Sequence, residues 1–283
     1  MKMDTLIKII CLVFMVGSVE ASEKLIKIKK VEGDKEELVY SILKLALSKS
    51  KPDAELKQSL VNASEARLVE MVESGKIDVI WTGASQEIEA KLLTVRIPVL
   101  KGLLGHRIFL IRENDQSRFE NLYSLEGLSN LKAGQGTFWG DTKVLKNAQL
   151  PTITTIKYNN LFLMLEGGRF DYFPRAVHEP WVEVETRPEL NLAVEKNIIL
   201  IYPYALYFYV NKNNQQLYQD IYDGFDRAIK DGSFDQLFYS NPMIKAVFEK
   251  SGISNRRVIR IDNPYMHPDT PVSTTEYWLE LGS

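Results

Sequence analysis

The second arginine of the segment GRFDYFPRAVHEPW, Arg175, could take part in chemistry because of where it lies in the sequence. Arg175 follows Phe-Pro at a point where a strand pattern gives way to a helix pattern. Pro174 suits the first position of a helix, so we expect Arg175 at the mouth of that helix. A cation there is unfavourable by ~0.3–1 kcal/mol, because the first turn concentrates partial positive charge. We therefore predict that Arg175 binds an anion together with free helix amides. The alternatives are a salt bridge with Glu179 or a side chain in solvent.

A second candidate site is the glycine-containing stretch GQGTFWGD. Gly134 and Gly136 would let backbone amides approach a ligand in a loop, and we expect a helix capped by Asp141 to follow. The spacing matches neither a dinucleotide-binding nor a phosphate-binding loop, so no nucleotide cofactor is predicted. Trp139 is either a flat apolar wall of the site or a core residue beneath a turn.

Further candidates lie at the ends of predicted strands, where ligands bind in α/β sheets. Trp81 ends the buried-strand pattern IDVIW and is predicted as a second apolar wall. Arg107 begins another strand pattern and is a possible second cation. Additional polar contacts are predicted for Thr82, Ser85, Gln135 and Asp141.

Signatures of enzymes are mostly absent from the sequence. The three histidines are scattered, and no His, Cys or carboxylate cluster has metal-ligand spacing. No Gly-x-Ser-x-Gly elbow is present. The acidic residues Glu179, Glu183 and Glu185 are interpreted as a solvated helix face. We predict no catalytic residue, no metal and no cofactor.

The N-terminal residues have the layout of a cleaved secretory signal. Lys2 and Lys8 flank the start of an apolar run over 9–16, and Val19-Glu20-Ala21 supplies small residues at a cleavage site. The run is shorter than the ~20 residues that a bilayer requires. Cys11, the one cysteine, lies inside it, so the mature chain would have no disulfide. We expect an exported, periplasmic protein.

The rest of the chain alternates strand and helix patterns, which indicates an α/β protein. Ser64 is a plausible N-cap of one helix, and Pro203 interrupts the long apolar segment IILIYPYALYFYVNK. Charges are well mixed, with a formal net charge of −2, which argues against a nucleic-acid partner.

The order of these segments resembles bacterial extracellular solute-binding proteins of family 3. The resemblance is carried by four stretches: GKIDVIWTGASQEIEAKLLTVRIPVLKGLLGHRIFLIRE, SLEGLSNLKAGQGT, MLEGGRFDYF and LYFYVNKNNQQLYQDIYDGFDRAIKDGSFDQLF. It implies two α/β lobes joined by two hinge segments, with the ligand cleft between them. Lobe 1 would comprise 22–112 plus 206–260 and lobe 2 would comprise 113–205, after a signal peptide over 1–21. A C-terminal extension over 261–283 has no counterpart.

The chain departs from the amino-acid binders of that family at both ends of the ligand clamp. They carry an arginine about five residues after the loop serine, where this chain has Glu89-Ala90-Lys91 after Ser85. They also carry an aspartate at the position of Ala176, five residues after Asp171. The departures argue against a standard α-amino acid as ligand. The hypothesis is a small organic anion held by Arg175 and the Gly134–Gly136 amides.

The leading hypothesis is a monomeric periplasmic binding protein that delivers this solute to an ABC transporter permease or to a sensor kinase. A second hypothesis is a dehydratase-like periplasmic enzyme on the same scaffold, with Glu89, Asp141 or Glu179 as acid or base. A third is an interaction protein whose cleft has decayed. Fold resemblance supports only the class of function, because the ligand depends on the site.

Overall fold

The computed structural model describes residues 25–279. The predicted signal peptide, with Cys11, lies outside the described residues, as do the last four residues of the tail. No helix within 25–279 is long and apolar enough to cross a membrane.

The described chain alternates strands and helices, as its sequence pattern predicts. The strands are β1 Ile26–Ile28, β2 Leu56–Gln58, β3 Val79–Gly83, β4 Leu92–Val95, β5 His106–Arg112, β6 Ala133–Gly136, β7 Thr152–Thr155, β8 Phe173–Ala176, β9 Leu192–Val194, β10 Ile198–Ile201, β11 Leu206–Asn211 and β12 Arg257–Arg260. The helices are α1 Asp34–Ser50, α2 Glu65–Glu73, α3 Gln86–Glu89, α4 Ser117–Glu120, α5 Leu125–Ser129, α6 Thr142–Asn147, α7 Tyr158–Glu166, α8 Pro180–Glu185, α9 Gln215–Lys230, α10 Ser233–Ser240 and α11 Pro242–Ser251.

The first lobe is built on a five-stranded sheet in the order β2-β1-β3-β11-β4. The first three strands of this order are parallel, whereas β11 runs antiparallel to both of its neighbours. Helices α1 and α9 pack against each other, and both bury apolar residues. Ser64 caps α2 as predicted, because its side chain accepts a hydrogen bond from the amide of Arg67.

The second lobe contains a sheet in the order β12-β10-β5-β8, with β9 also paired to β5. The parallel pair β6-β7 lies beside it, and a bridge between Ala133 and Tyr172 joins the two. Both lobes therefore mix helices with a sheet, and the α/β two-lobed architecture is confirmed. Pro203 lies between β10 and β11, where the chain passes from the second sheet to the first.

The strand pairing bears on the lobe boundaries, which stay a prediction. Strand β5 was expected at the end of lobe 1, but it pairs with β8, β9 and β10. Strand β12 was also expected in lobe 1, but it pairs with β10. We propose that both strands belong to lobe 2, so that lobe 1 ends before residue 106 and resumes at residue 206.

The C-terminal extension returns from β12 to the first lobe. Asn263 donates a hydrogen bond from Nδ2 to the carbonyl oxygen of Pro203 at 2.8 Å. Further on, the amide of Leu279 donates to the carbonyl oxygen of Lys101 at 2.8 Å, and the Trp278 ring covers Gly102. The C-terminal extension therefore connects the second sheet to the first lobe once more.

Gly224 permits the close approach of α9 to α1, and its replacement tests that packing. A Cβ atom at Gly224 would lie 1.9 Å from the carbonyl oxygen of Ala46, a backbone atom that cannot move alone. We expect Gly224→Ala to lower the free energy of unfolding by about 1–3 kcal/mol despite the better helix propensity of alanine. Urea denaturation would measure this loss.

The matched control is Gly127→Ala in α5, where the nearest atom is the mobile end of Leu122 at 3.1 Å. Equal stability of the two variants would contradict the role of Gly224 in the packing of these helices.

Candidate functional site

A cavity of about 170 Å³ lies between the two lobes. Lobe 1 contributes the end of β3 and the loop that follows, and lobe 2 contributes the start of β5, the loop before α6, and β8 with the turn after it. The lining residues are Glu65, Thr82, Gly83, Ser85, Leu104, Arg107, Trp139, Gly140, Asp141, Arg175, Glu179 and Tyr204. Six of the ten residues predicted from sequence thus share one cavity.

Arg107 and Asp141 form a buried ion pair in this wall, with Nη2 and Oδ2 2.6 Å apart. Asp141 also accepts hydrogen bonds from Gln135 Nε2 at 3.1 Å and from the Tyr202 hydroxyl at 2.8 Å. Burial opposes the charge on Arg107, but Asp141, Tyr202 and Glu179 together outweigh that effect and raise the pKa of the guanidinium. The expected capping of α6 by the Asp141 side chain is wrong, because this carboxylate bonds these groups instead.

Arg175 lies inside strand β8, and its predicted place at a helix mouth is wrong. Strand β8 is hydrogen-bonded to β5 in its sheet, so Pro174 fits there as an edge-strand proline. The following helix begins only at Pro180. The conflict between a cation and a helix N-terminus therefore does not arise.

The Arg175 guanidinium is held by two carboxylates. Glu183 accepts hydrogen bonds from Nε at 2.9 Å and from Nη2 at 2.6 Å, and Glu179 lies 3.0 Å from Nη2. The alternative salt bridge with Glu179 is therefore present. The Tyr158 hydroxyl donates to Glu183 at 2.5 Å. Burial opposes the charge on Arg175, but Glu179 and Glu183 raise its pKa.

Glu183 is a residue that sequence reasoning missed, since it was interpreted as part of a solvated helix face. It is buried, with 8% exposure, as is Arg175 with 5%. A signal was present in the sequence, because an arginine within an apolar strand requires a nearby carboxylate. Glu179 and Glu183 are the first acids that follow Arg175 in the chain.

The two predicted glycines serve packing rather than the cavity wall. They lie in strand β6, not in a loop, and the Gly134 amide donates to the carbonyl oxygen of Tyr172 at 2.8 Å. A Cβ atom at Gly134 would lie 2.1 Å from the Phe170 ring, and one at Gly136 would lie 2.5 Å from the Trp139 ring. The glycines therefore make room for aromatic rings, and the expected glycine loop is wrong.

The two predicted tryptophans have different positions. Trp139 lines the cavity, and its ring stacks on Phe173 with 6.1 Å between centroids and 19° between planes. The Trp81 ring is buried in lobe 1 against Phe208, and its Nε1 donates to Glu36 at 2.5 Å. Trp81 borders a neighbouring cavity instead.

The hydroxyl groups in the lobe 1 wall already have acidic partners. Thr82 donates to Glu65, and Ser85 donates to Glu87 at 2.8 Å. Glu87 is also bonded to Lys143 of lobe 2, so this ion pair joins the lobes beside the cavity. Hydrogen bonds from Lys143 and Ser85 lower the pKa of Glu87 to about 2.

The residues at the predicted clamp positions, namely Glu89, Ala90, Lys91 and Ala176, do not line the cavity. Glu89 is paired with Arg96 at 2.6 Å, and Ala176 pairs with Arg107 through the sheet backbone. The cavity wall includes none of Glu89, Ala90 and Lys91. Within 25–279, no group of three or more His, Cys, Asp or Glu residues could hold a metal ion.

His178, the residue before Glu179, is buried without a hydrogen-bond partner for either ring nitrogen among the described residues. Burial lowers its pKa to about 4, and burial lowers the pKa of His106 to about 4 as well. Both imidazoles are therefore neutral at pH 7. Neither histidine is among the residues of the cavity wall.

Comparison with known proteins shows the fold but no close relative. No protein-family model matches the chain, and no curated protein matches it. An ancestral arginine-binding protein bound to arginine is 17% identical over 77% of this chain and 98% of its own, with a TM-score of 0.55. AbpA, an amino acid ABC transporter substrate-binding protein from Streptococcus pneumoniae bound to L-arginine, is 16% identical over 81% and 98%, with a TM-score of 0.54.

A third solved structure is a periplasmic binding protein from Salmonella typhimurium, described for its high arginine specificity. It is 16% identical over 76% of this chain and 98% of its own, with a TM-score of 0.53. The chain thus has the two-lobed fold of periplasmic binding proteins. Identities this low show the fold alone.

The buried pair of Arg175 and Glu183 is expected to be a major contribution to local stability. In Glu183→Gln the guanidinium would keep Glu179 but lose its charged bidentate partner, so we expect a loss of about 3 kcal/mol in the free energy of unfolding. Chemical denaturation at pH 7 would measure it.

Glu185→Gln in the same helix is the control, because that side chain is 64% exposed and lies 3.5 Å from Lys250. Its effect should stay within about 0.5 kcal/mol. Losses of similar size in both variants would contradict the importance of the buried pair.

The two buried histidines predict a loss of stability in mild acid. Their pKa of about 4 lies below the ordinary value of 6.5, so the unfolded chain binds these protons first as the pH falls. Their contribution is complete above pH ~6.5 and decreases toward pH 4, by at most ~1.4 kcal/mol per pH unit for each histidine.

Unfolding free energies measured between pH 7 and pH 5 would test this, with a shallower slope expected for His178→Leu. The half-exposed His267 supplies the control His267→Gln, whose slope should be steeper than that of His178→Leu. An unchanged slope in His178→Leu would contradict the assignment.

Proposed function

We propose that this protein is a periplasmic solute-binding protein that captures a small organic solute in the cavity between its lobes. The observation that carries the proposal is the cavity itself, because Thr82 and Ser85 of lobe 1 and Trp139 and Arg175 of lobe 2 line one space. Polar groups that converge in a cleft between domains are typical of a small-molecule site. A solute there would contact both lobes and favour their closure.

The two arginines support a carboxylate, or another anionic group, on that solute. The Nη1 atom of Arg107 lies 3.9 Å from Glu179, too far for a hydrogen bond, and its Nε has no partner among the described residues. The carboxylates of Glu179 and Glu183 hold Arg175 through Nε and Nη2, and its Nη1 makes no hydrogen bond to a residue within 25–279. A hydrogen bond from either guanidinium to a solute carboxylate would contribute about 1.5–3 kcal/mol.

The carboxylates around the arginines favour a solute with more than an anionic group. Asp141, Glu179 and Glu183 carry three negative charges against the two positive charges of Arg107 and Arg175, an excess of one negative charge. A solute that also carries an amine could donate it to Glu179. The neighbours with the same fold bind amino acids, arginine among them, so zwitterions belong in any ligand screen.

Binding without turnover is favoured over the dehydratase-like alternative. Glu89 is paired with Arg96 away from the cavity. Burial opposes the charge of Glu179, but Arg175 and the further positive groups around it together outweigh burial and keep the pKa of this carboxyl well below its usual range. A general acid or base acts best when its pKa is close to the working pH, and Glu179 does not meet that condition.

The receiving partner in this proposal is the permease of an ABC transporter, with a sensor kinase as the other candidate. AbpA belongs to an amino acid ABC transporter, which supports the first. A monomeric state stays an expectation.

A thermal-shift screen of the mature protein against mono- and dicarboxylates, aromatic acids, amino acids and peptides tests the function. A ligand at a hundred times its Kd stabilises the folded state by ~2.7 kcal/mol, which for a chain of this size raises Tm by about 5–10 °C. The absence of any shift across the panel would overturn the proposal.

Arg175→Lys then tests the site with any ligand that the screen identifies. Alanine is unsuitable, because it would leave Glu183 buried without a cation. Lysine keeps the charge but loses the planar fork, so we expect affinity to fall at least about tenfold. Arg257→Lys, far from the cavity wall, should bind as the unmodified protein does, and full affinity in Arg175→Lys would remove that residue from the site.

A further inference from the structure

A second cavity of about 230 Å³ continues from the first. The two share four lining residues, namely Glu65, Thr82, Gly83 and Leu104. Neither space alone reaches the ~300 Å³ at the lower end of small-molecule sites, whereas the two together do. We call the first cavity, which contains the two arginines, the arginine chamber. The cleft as a whole therefore has room for a solute longer than the arginine chamber.

The second cavity, the lysine chamber, is lined by Lys29, Lys35 and Trp81. Both ammonium groups depend on one carboxylate, since Glu36 lies 2.7 Å from Lys29 Nζ and 3.0 Å from Lys35 Nζ. The oxygen that faces Lys29 also accepts the Trp81 indole N–H at 2.5 Å. The single carboxylate of Glu36 thus interacts with two ammonium groups and one N–H donor. Glu36, Lys29 and Lys35 together carry a surplus positive charge.

The Lys29 ammonium is held in place rather than free in solvent. It lies 4.7 Å from the centroid of the Trp81 ring, a cation–π contact, and its side chain is 14% exposed. Burial lowers its pKa, although Glu36 and Glu65 oppose this effect. An anionic group in the lysine chamber would supply the missing charge.

Glu65 borders both chambers and offsets only part of this surplus. Glu65 is exposed, and its carboxylate accepts a hydrogen bond from the Thr82 hydroxyl. Solvent screens an exposed charge far more than a buried one, so the electrostatic preference of the lysine chamber is set by Lys29, Lys35 and Glu36.

We propose that the solute spans both chambers and carries a second anionic group, a carboxylate or a similar oxyanion, which binds Lys29 and Lys35. This inference rests on the proposed binding function and extends it. The carboxylate at the other end of the solute binds Arg107 and Arg175, while the part of the solute between its two anionic groups passes Leu104 and Gly83. Lysine acts as a point charge without the planar fork of arginine, so the lysine chamber selects charge rather than the shape of the anion.

Two matched pairs of six-carbon probes test the proposal by titration calorimetry. Adipate is compared with hexanoate, and 2-aminoadipate is compared with 2-aminohexanoate. The members of each pair differ only in the distal carboxylate. In at least one pair the compound with the distal carboxylate should bind at least about tenfold more tightly, because a charged hydrogen bond forms in the lysine chamber.

Lys35→Gln and Lys29→Gln should each reduce that ratio toward one. Lys30→Gln is the matched control, because Lys30 is adjacent in sequence, is paired with Glu32 at 2.8 Å and does not line the lysine chamber. It should keep the ratio of the unmodified protein. Thermal unfolding of the three variants would confirm that each is folded.

Outcomes for the two proposals are distinguishable. If the wider screen yields a ligand but neither pair shows the preference, the lysine chamber proposal is overturned and the binding function stands. A preference that survives in both Lys35→Gln and Lys29→Gln also overturns it. If no solute binds in any assay, the binding function itself fails.

Discussion

The arrangement of the cleft depends on two arginines that are buried together with their carboxylates. Burying a guanidinium is costly unless it is paired and hydrogen-bonded, so Arg107 and Arg175 fix the positions of the groups that compensate them. Asp141 brings the loop before α6 to β5, and Glu183 brings α8 to β8. The wall of lobe 2 is thus set by ion pairing before any solute enters. A wall of this kind loses little side-chain entropy when a solute binds, which is the advantage of preorganisation.

The two walls of the cleft differ in how firmly they are built. The lobe 2 wall consists of bidentate and multiply bonded ion pairs beneath Trp139. The lobe 1 wall consists of the hydroxyls of Thr82 and Ser85, bonded to the exposed Glu65 and Glu87. Exposed hydrogen bonds to flexible acids exchange readily with those of a solute, whereas buried ion pairs do not. Under the proposed function, lobe 2 would orient the solute and lobe 1 would adapt to it.

The fold was predictable from the sequence because its signals are local. Alternating apolar patterns, the Ser64 cap and the break at Pro203 each depend on a few neighbouring residues, and the structure has the corresponding elements. The site was predictable in part, because strand ends place Thr82, Ser85 and Arg107 at the cleft. Arg175 lines the same cavity as these residues, but it was predicted on the wrong element, since the sequence does not show that β8 is paired with β5. Long-range pairing also explains the error at Gly134, which faces the Phe170 ring 36 residues on, and the parallel pairing of β6 with β7 places Gly136 in a strand rather than a loop.

The late position of β12 in the chain has a consequence for the order in which the protein can fold. Domains commonly fold as units while the chain is synthesised from its N-terminus. Here the sheet of lobe 2 includes a strand at Arg257–Arg260, which follows the whole of α9, α10 and α11. Lobe 2 therefore lacks its edge strand until residues 257–260 have left the ribosome. A chain interleaved in this way cannot complete its second sheet before the helices of the first lobe have been synthesised.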